Sequence, residues 1–291
     1  MKHKVLFTSD LHGNERQYKK LIDHAIRISA DFIIIGGDIA PKRLTVENFI
    51  EAQRDFIKNR LSELISRLKQ ELPNSKIFLM MGNDDCAANM DVLDNSKLYN
   101  VIHGIRTKLT KEFDIVGYSY VPITPFGIKD WEKFDLSEVS SNLKEMYEHR
   151  KKTNYRLDGF KSTKLGFMEF EFDSELEKLD SIQKDLANDI VNKKSNKILY
   201  VFHTPPNKTK LDMSLGKRHL GSFAVREFIE KNQPYLTLHG HIHETVDVSK
   251  KFKDKIGNTL CLSSGNDNLG RRLAVLVFDL ENPQDAKRII L

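Results

Sequence analysis

Residues 31–38 read DFIIIGGD: four bulky apolar residues in a row, two glycines, then an acid. The run is too short for a helix and rich in β-branched side chains. It therefore reads as a strand buried on both faces, ending in a sharp glycine turn that presents Asp38. The same plan recurs on either side. KVLFTSDLH (4–12) sets Asp10 and His12 behind an apolar run, and KIFLMMGNDD (76–85) sets Asn83, Asp84 and Asp85 behind another. Between the first two runs, Tyr18, Leu21, Ile22, Ala25 and Ile26 recur at helical spacing. Between the second and third, Phe49, Phe56, Ile57, Leu61, Leu64, Ile65 and Leu68 mark a long amphipathic helix stopped near Pro73. Alternation of strand and helix predicts an α/β fold with parallel strands and crossover helices.

Further out, FDIVGYSYV (113–121), KILYVFH (197–203), PYLTLHGHIH (234–243), NTLCLSSG (258–265) and RLAVLVFDL (272–280) read as strands, and Ser222 to Asn232 as a short helix. Ser174 to Lys194 has helical spacing, and Ser174-x-x-Glu177 has the form of a capping box. Residues 124–173 are charged, hold the single tryptophan, Trp131, and keep no steady period. We expect an inserted lid or cap there, within one domain spanning 1–291.

Composition bounds the function. The 291 residues, 40% hydrophobic and 30% charged, suit one large globular domain and exclude a disordered chain. A formal charge of +5 suits a protein that meets anionic substrates without implying nucleic-acid binding. Two distant cysteines, Cys86 and Cys261, build neither a disulfide framework nor a cysteine zinc site, which favours a reducing compartment. No run reaches the length of a membrane span. The apolar stretch Val5-Leu6-Phe7 is too short for a signal peptide, and cleavage would remove Asp10. A cytoplasmic protein with no membrane contact is expected.

Five polar clusters each follow an apolar strand: Asp10-Leu11-His12, Gly36-Gly37-Asp38, Gly82-Asn83-Asp84-Asp85, His203-Thr204-Pro205-Pro206 and Gly240-His241-Ile242-His243. Ligands of open α/β sheets bind at the carboxyl ends of strands, so these clusters are expected to converge. Two aspartates, four histidines and an asparagine (Asp10, His12, Asp38, Asn83, His203, His241, His243) form a mixed oxygen and nitrogen donor set. That mixture suits manganese, iron or zinc, manganese first, better than calcium or magnesium. Seven donors exceed one tetrahedral ion and suit two ions sharing a carboxylate.

The ordered set D-x-H, G-D, G-N, H and G-H-x-H, from Asp10 to His243, resembles the calcineurin-like metallophosphoesterase superfamily. The strings FHTPP, LHGHIHE and VPITPFGIKDWEKFD resemble a small prokaryotic branch of it. The resemblance implies a four-layer αββα sandwich: two mixed sheets flanked by helices, with the lid inserted. It implies that Asp10, His12 and His243 hold one divalent ion, that Asn83, His203 and His241 hold the other, and that Asp38 bridges. A metal-bridging hydroxide would then attack a phosphate ester in line with the leaving group. The expected substrate is a small phosphate ester or a nucleotide, nucleic acid being less favoured.

The pattern departs at Asp84, where the family carries histidine in G-N-H-[DE]. An ionised Asp84 would repel a phosphate dianion, so we expect phosphodiesters to be preferred over monoesters, with Asp84 and Asp38 as catalytic groups. The rival readings are a nucleotidase or nuclease on the same core and, in another class, a non-catalytic metal-binding scaffold. Asn83, Arg218 and His219 are candidate substrate contacts, against a solvated-loop reading of the last two. Trp131, Phe126 and Phe134 could line a base-binding pocket, although such aromatics more often pack a lid onto its domain. Asp85 is expected to orient a ligand or nearby backbone, Cys86 to be a small buried residue, and His239 to fill a core position.

Overall fold

The computed structural model describes residues 3–42, 48–188, 197–267 and 270–291. In chain order its elements begin β1 (Lys4–Thr8), α1 (Glu15–Ile28), β2 (Phe32–Gly36), α2 (Phe49–Asp55), α3 (Ser62–Glu71), β3 (Lys76–Met80), α4 (Met90–Asp94), β4 (Asn100–Val101), β5 (Thr107–Lys108), β6 (Phe113–Tyr118) and β7 (Val121–Pro122). There follow β8 (Glu132–Lys133), α5 (Lys144–Asn154), β9 (Asp158–Thr163), β10 (Gly166–Glu171), α6 (Ser174–Leu179), α7 (Ile182–Asn188), β11 (Lys197–Phe202), α8 (Phe223–Asn232) and β12 (Leu236–His239). The chain closes with α9 (Thr245–Ser249), β13 (Lys253–Ile256), β14 (Thr259–Ser263), β15 (Ala274–Asp279) and β16 (Asn282–Ile290).

Two six-stranded mixed sheets form the centre, in the orders β16-β15-β1-β2-β3-β4 and β13-β14-β12-β11-β6-β5. Within them β1 to β4 run parallel, as do β6, β11, β12 and β14; the outer strands β5, β13, β15 and β16 pair antiparallel.

The period-2 geometry of a strand decides which side chains meet. Val5, Phe7, Phe32, Ile34, Phe78 and Met80 face the second sheet, where Ile115, Leu199, Val201, Leu238 and Leu262 receive them. Their neighbours Leu6, Ile33, Ile35, Ile77 and Leu79 face α1 and α3. On the far side, Val116, Tyr200 and Phe202 pack under α8 with Phe228 and Ile229. The result is helix, sheet, sheet, helix, with both faces of each central strand buried. This explains the unbroken apolar runs.

The long helix after β2 is continuous, but a π-helical turn over Phe56–Leu61 joins α2 to α3. Phe56, Ile57, Leu61, Leu64, Ile65 and Leu68 are all buried. The capping-box expectation is corrected. The N-cap of α6 is Asp173, whose carboxylate accepts the N–H groups of Glu175 and Leu176 at 2.9 and 2.8 Å, and Ser174 is the first helical residue. An aspartate one position earlier supplies both the acceptor and the charge that the helix dipole favours. Helical structure is interrupted at Asp180-Ser181, and the part of that expectation covering 189–194 lies outside the described residues.

Residues 124–173 hold β8, α5 and the hairpin β9-β10. Trp131 is buried, edge-on to His103 at 4.9 Å between ring centroids. Lys129 and Glu132 are completely buried and paired at 2.8 Å. No helix among the described residues is long and apolar enough to cross a membrane.

Candidate metal centre

The loops after β1, β2, β3, β11 and β12 meet at one end of the sandwich. Backbone bonds lace the first two: Asp10 N–H donates to the Gly37 carbonyl (3.0 Å), His12 to Asp38 (2.8 Å) and Gly13 to Ile39 (3.0 Å). Gly37 and Gly82 let the loops come this close. Gly37 has φ +102°, and a Cβ there would lie 2.5 Å from His203 Nδ1; one on Gly82 would lie 2.4 Å from Asp38 Oδ1. Asp10, His12, Asp38 and His241 themselves sit at φ 57°, 43°, 52° and 67°. Left-handed backbone costs such residues roughly 1–3 kcal/mol each and concentrates at functional sites.

The donors of Asp10, His12, Asp38 and His243 lie within 4.8 Å of one another and could hold a metal ion. His12 Nε2 is 3.3 Å from His243 Nε2 and 3.5 Å from Asp38 Oδ2, and His243 Nε2 is 3.5 Å from Asp10 Oδ1. On the other side of Asp38, His203 Nε2 is 3.4 Å from its Oδ2 and 3.2 Å from Asn83 Oδ1. The His203 and His241 rings are 5.4 Å apart between centroids. All seven residues expected as ligands therefore come together, with Asp38 between two groups.

The donor chemistry fits a cation. His203 Nδ1 meets the Gly36 carbonyl at 2.8 Å, which fixes the ring with Nε2 toward Asn83 and Asp38. His12 Nδ1 is buried without a hydrogen bond among the described residues. Burial pushes the Asp38 carboxyl up, but His203 and His12 outweigh it and hold the group well below the usual carboxylate range. Burial pulls His203 down, yet Asp38 and Asp10 raise it to about 10. Burial, then His203, drives His241 down to about 3, leaving a neutral imidazole. A divalent ion would displace the His203 proton, since imidazole binds metal only when neutral.

Asp84 lies beside this cluster. Its N–H donates to Asp38 Oδ1 at 2.9 Å, and its carboxylate Oδ2 accepts from Lys42 Nζ at 2.6 Å. Burial and Asp38 push the Asp84 carboxyl up, and Lys42 pulls it down. Sequence reasoning missed Lys42. The one available signal was a cation four residues after Asp38, on the same loop.

Asp85 ties two loops together: its carboxylate accepts the N–H groups of Ile39 (3.0 Å), Ala40 (2.8 Å) and Gly82 (2.9 Å). Asp85→Ala would leave three buried donors unpaired. We expect a loss of roughly 3 kcal/mol or more in unfolding free energy, and metal affinity lower by about 10–100-fold. Thermal denaturation and equilibrium dialysis read the two effects.

The remaining candidates separate. Arg218 lines a cavity of ≈ 240 Å³ together with His241, Ile242 and Phe126. His219 does not line it; its Nδ1 meets Asp212 Oδ1 at 2.8 Å. His239 is buried between the Thr204 carbonyl (3.1 Å) and Thr237 Oγ1 (2.8 Å). Cys86 and Cys261 are free and buried, and burial raises both thiols. A second cavity, of ≈ 520 Å³, lies against α7 and α8 and contains no residue of the cluster.

The model of one protein family, the calcineurin-like phosphoesterases, matches residues 3–245. One solved structure, 17% identical, covers 100% of this chain and 99% of its own with a TM-score of 0.59. TT1561 of Thermus thermophilus, 14% identical, covers 99% of each chain with a TM-score of 0.55. A dimetal phosphatase from Danio rerio, 11% identical, covers 99% of this chain and 98% of its own with a TM-score of 0.49. At these identities the likeness to the first two is one of fold. No curated protein matches the chain.

Proposed function

Because this chain belongs to the calcineurin-like phosphoesterase family, we propose that its loop cluster is a two-metal centre that hydrolyses small phosphate esters, phosphodiesters before monoesters. The convergence of seven metal-competent side chains from five strand ends carries this reading. Asp10, His12 and His243 would hold one ion, Asn83, His203 and His241 the other, and Asp38 both. Bound there, two divalent cations supply an acidified water and neutralise phosphate charge.

The chain's own groups position and discriminate. Ser9 Oγ donates to Asp10 Oδ2 within the first loop, and the His241 N–H donates to Asp10 Oδ1 at 3.0 Å, which ties the fifth loop to the first. The Gly36 carbonyl engages His203 Nδ1 and so turns Nε2 toward Asn83 and Asp38 as the nitrogen that would meet a cation. Asp84 sets a carboxylate beside the site, which opposes a dianionic phosphate more than a monoanionic one. Lys42 offsets part of that charge. Residues 124–173 act as the lid, and a reducing, cytoplasmic setting is supported by the two free cysteines.

The primary test strips the protein of metal, reloads it with manganese, zinc or iron, and follows bis(p-nitrophenyl) phosphate and p-nitrophenyl phosphate. We expect metal-dependent turnover, fastest with manganese, and a diester-to-monoester ratio above one. Bound metal with no hydrolysis of either ester would point to an enzyme of narrow specificity, whereas no metal bound at all would overturn the two-metal reading and favour a scaffold.

Two substitutions should move the ratio in opposite directions. Lys42→Gln removes the compensating charge and should lower monoester kcat/KM roughly tenfold more than diester kcat/KM. Asp84→His removes the carboxylate and should shift the ratio about as far toward monoesters. A ratio that neither variant moves would show that Asp84 does not set the preference.

A further inference from the structure

Beside His241, a cavity of ≈ 240 Å³ is walled by three separate stretches of chain: Thr124 to Phe126, the end of α5 from Arg150 to Asn154, and Arg218 with Leu220. His241, Ile242 and Glu244 close it on the side of the metal centre, the Glu244 carboxylate accepting the Leu215 N–H at 3.1 Å. We propose that this cavity seats the alcohol part of the substrate, and that this alcohol carries an aromatic or heteroaromatic ring stacked on Phe126, its edge acceptors met by Arg218. The inference rests on the phosphoesterase reading and names its substrate class.

Position comes first. His241 belongs to both the cluster and the cavity wall, so a phosphate held at the cluster would have its ester group at the cavity's entrance. Size comes next. A space of ≈ 240 Å³ admits a ring system.

The lining supplies the chemistry. Leu220, Ile242 and Phe126 are apolar walls. Phe126 is 47% exposed, whereas Trp131 and Phe134 are buried at 5% and 3%, so of these three aromatics only Phe126 is open to a ligand. Lys42 Nζ stands 4.7 Å from the centroid of its ring, which links the ring to the Asp84 corner of the site. At the rim, Arg218 Nη1 meets Asn154 Oδ1 at 3.5 Å. That long contact spares most of the guanidinium's five donors for a ligand.

The walls are held in place beforehand, which lowers the ordering cost of binding. Buried Arg150 donates to the carbonyls of Gly221 and Leu220, the latter at 2.6 Å, and so fastens α5 to the Arg218 loop. Glu132 accepts the Thr124 N–H at 2.9 Å and its hydroxyl, while Lys129 donates to the Thr124 carbonyl at 3.0 Å. These bonds fix the turn that carries Phe126.

Calorimetric titration of manganese-loaded protein with inorganic phosphate and with the phosphonate analogues of ribose 5-phosphate and AMP, in which a methylene replaces the ester oxygen and which are named below by their parent esters, tests the inference without turnover. A stacked base strengthens binding by about tenfold or more, so AMP should bind at least tenfold tighter than ribose 5-phosphate. Phe126→Ala should bring the two affinities together. Phe126→Leu, which keeps apolar volume, should do most of the same. Arg218→Gln should weaken AMP several-fold and leave ribose 5-phosphate unchanged. Equal affinities in the unsubstituted protein, or a preference that survives Phe126→Ala, would overturn the ring subsite while phosphate binding still upholds the metal centre. Failure of all three ligands to bind would overturn both.

Discussion

Replacing Asp38 with alanine is expected to abolish metal-dependent phosphoester hydrolysis, by roughly 10³-fold or more in kcat. Asp38 Oδ2 stands between both halves of the cluster, 3.5 Å from His12 Nε2 and 3.4 Å from His203 Nε2. Its other oxygen receives the Asp84 N–H, so the substitution also orphans a buried donor. It further removes the main charge that holds His203 up at about 10. Bound manganese, measured by elemental analysis after gel filtration, should fall from two ions per chain to one or none. Asp38→Asn keeps the shape without the charge and should show the same metal loss with less loss of stability. Two ions still bound in both variants would refute the bridging role.

The second large effect is on stability. Lys129→Met should cost about 3–5 kcal/mol, because it strands the Glu132 carboxylate in a fully buried site. For a chain of this size that lowers Tm by roughly 5–10 °C. Burial already pushes Glu132 from its ordinary 4.5 up to about 7, against the pull of Lys129. Without Lys129 it rises further. The folded state then holds a proton that the unfolded state releases, so stability is retained below about pH 4.5 and lost as pH climbs through the folded value. Because Glu132 titrates at about 7 in the parent as well, the two forms lose stability in parallel up to that point, and the penalty of Lys129→Met should grow only above about pH 7. Adding Glu132→Gln should recover part of it, since the amide oxygen can still accept from Thr124. A single-variant penalty that stays flat across this range would mean that Glu132 is not the stranded charge.

How far the sequence could be read depended on distance along the chain. The strands over 4–8, 32–36 and 76–80 were legible because each is a short apolar run ended by polar or glycine residues. The pattern is complete within about eight residues. The antiparallel outer strands were less so: Lys253–Ile256 and Asn282–Ile290 are mostly exposed or half-buried and carry charges, so they lack the apolar run that marks the central strands. The segment 124–173 shows the same limit. Lys129 and Glu132 look like surface charges at i and i+3, and only the chain folded around them makes them a buried pair. Lys42 is a charged loop residue until its ammonium is seen on Asp84. Asn266 donates to the carbonyls of Ser9 and Asp10 at 3.1 and 3.3 Å from more than 250 residues away, with no local pattern to announce it.

By itself, then, the sequence determined the α/β class and the set of metal-competent side chains, because strand periodicity and donor chemistry are local properties. It also determined that those side chains sit at strand ends. The tertiary structure alone decided that Asp38 stands between two donor groups and that Lys42 pairs with Asp84. It alone decided that Arg218 rather than His219 shares a cavity with His241, and that Phe126 is left open while Trp131 and Phe134 are buried. Those are relations between loops far apart in the chain. Their distances follow from how two sheets pack and which backbones glycine lets come close, and neither is written in any short stretch of residues.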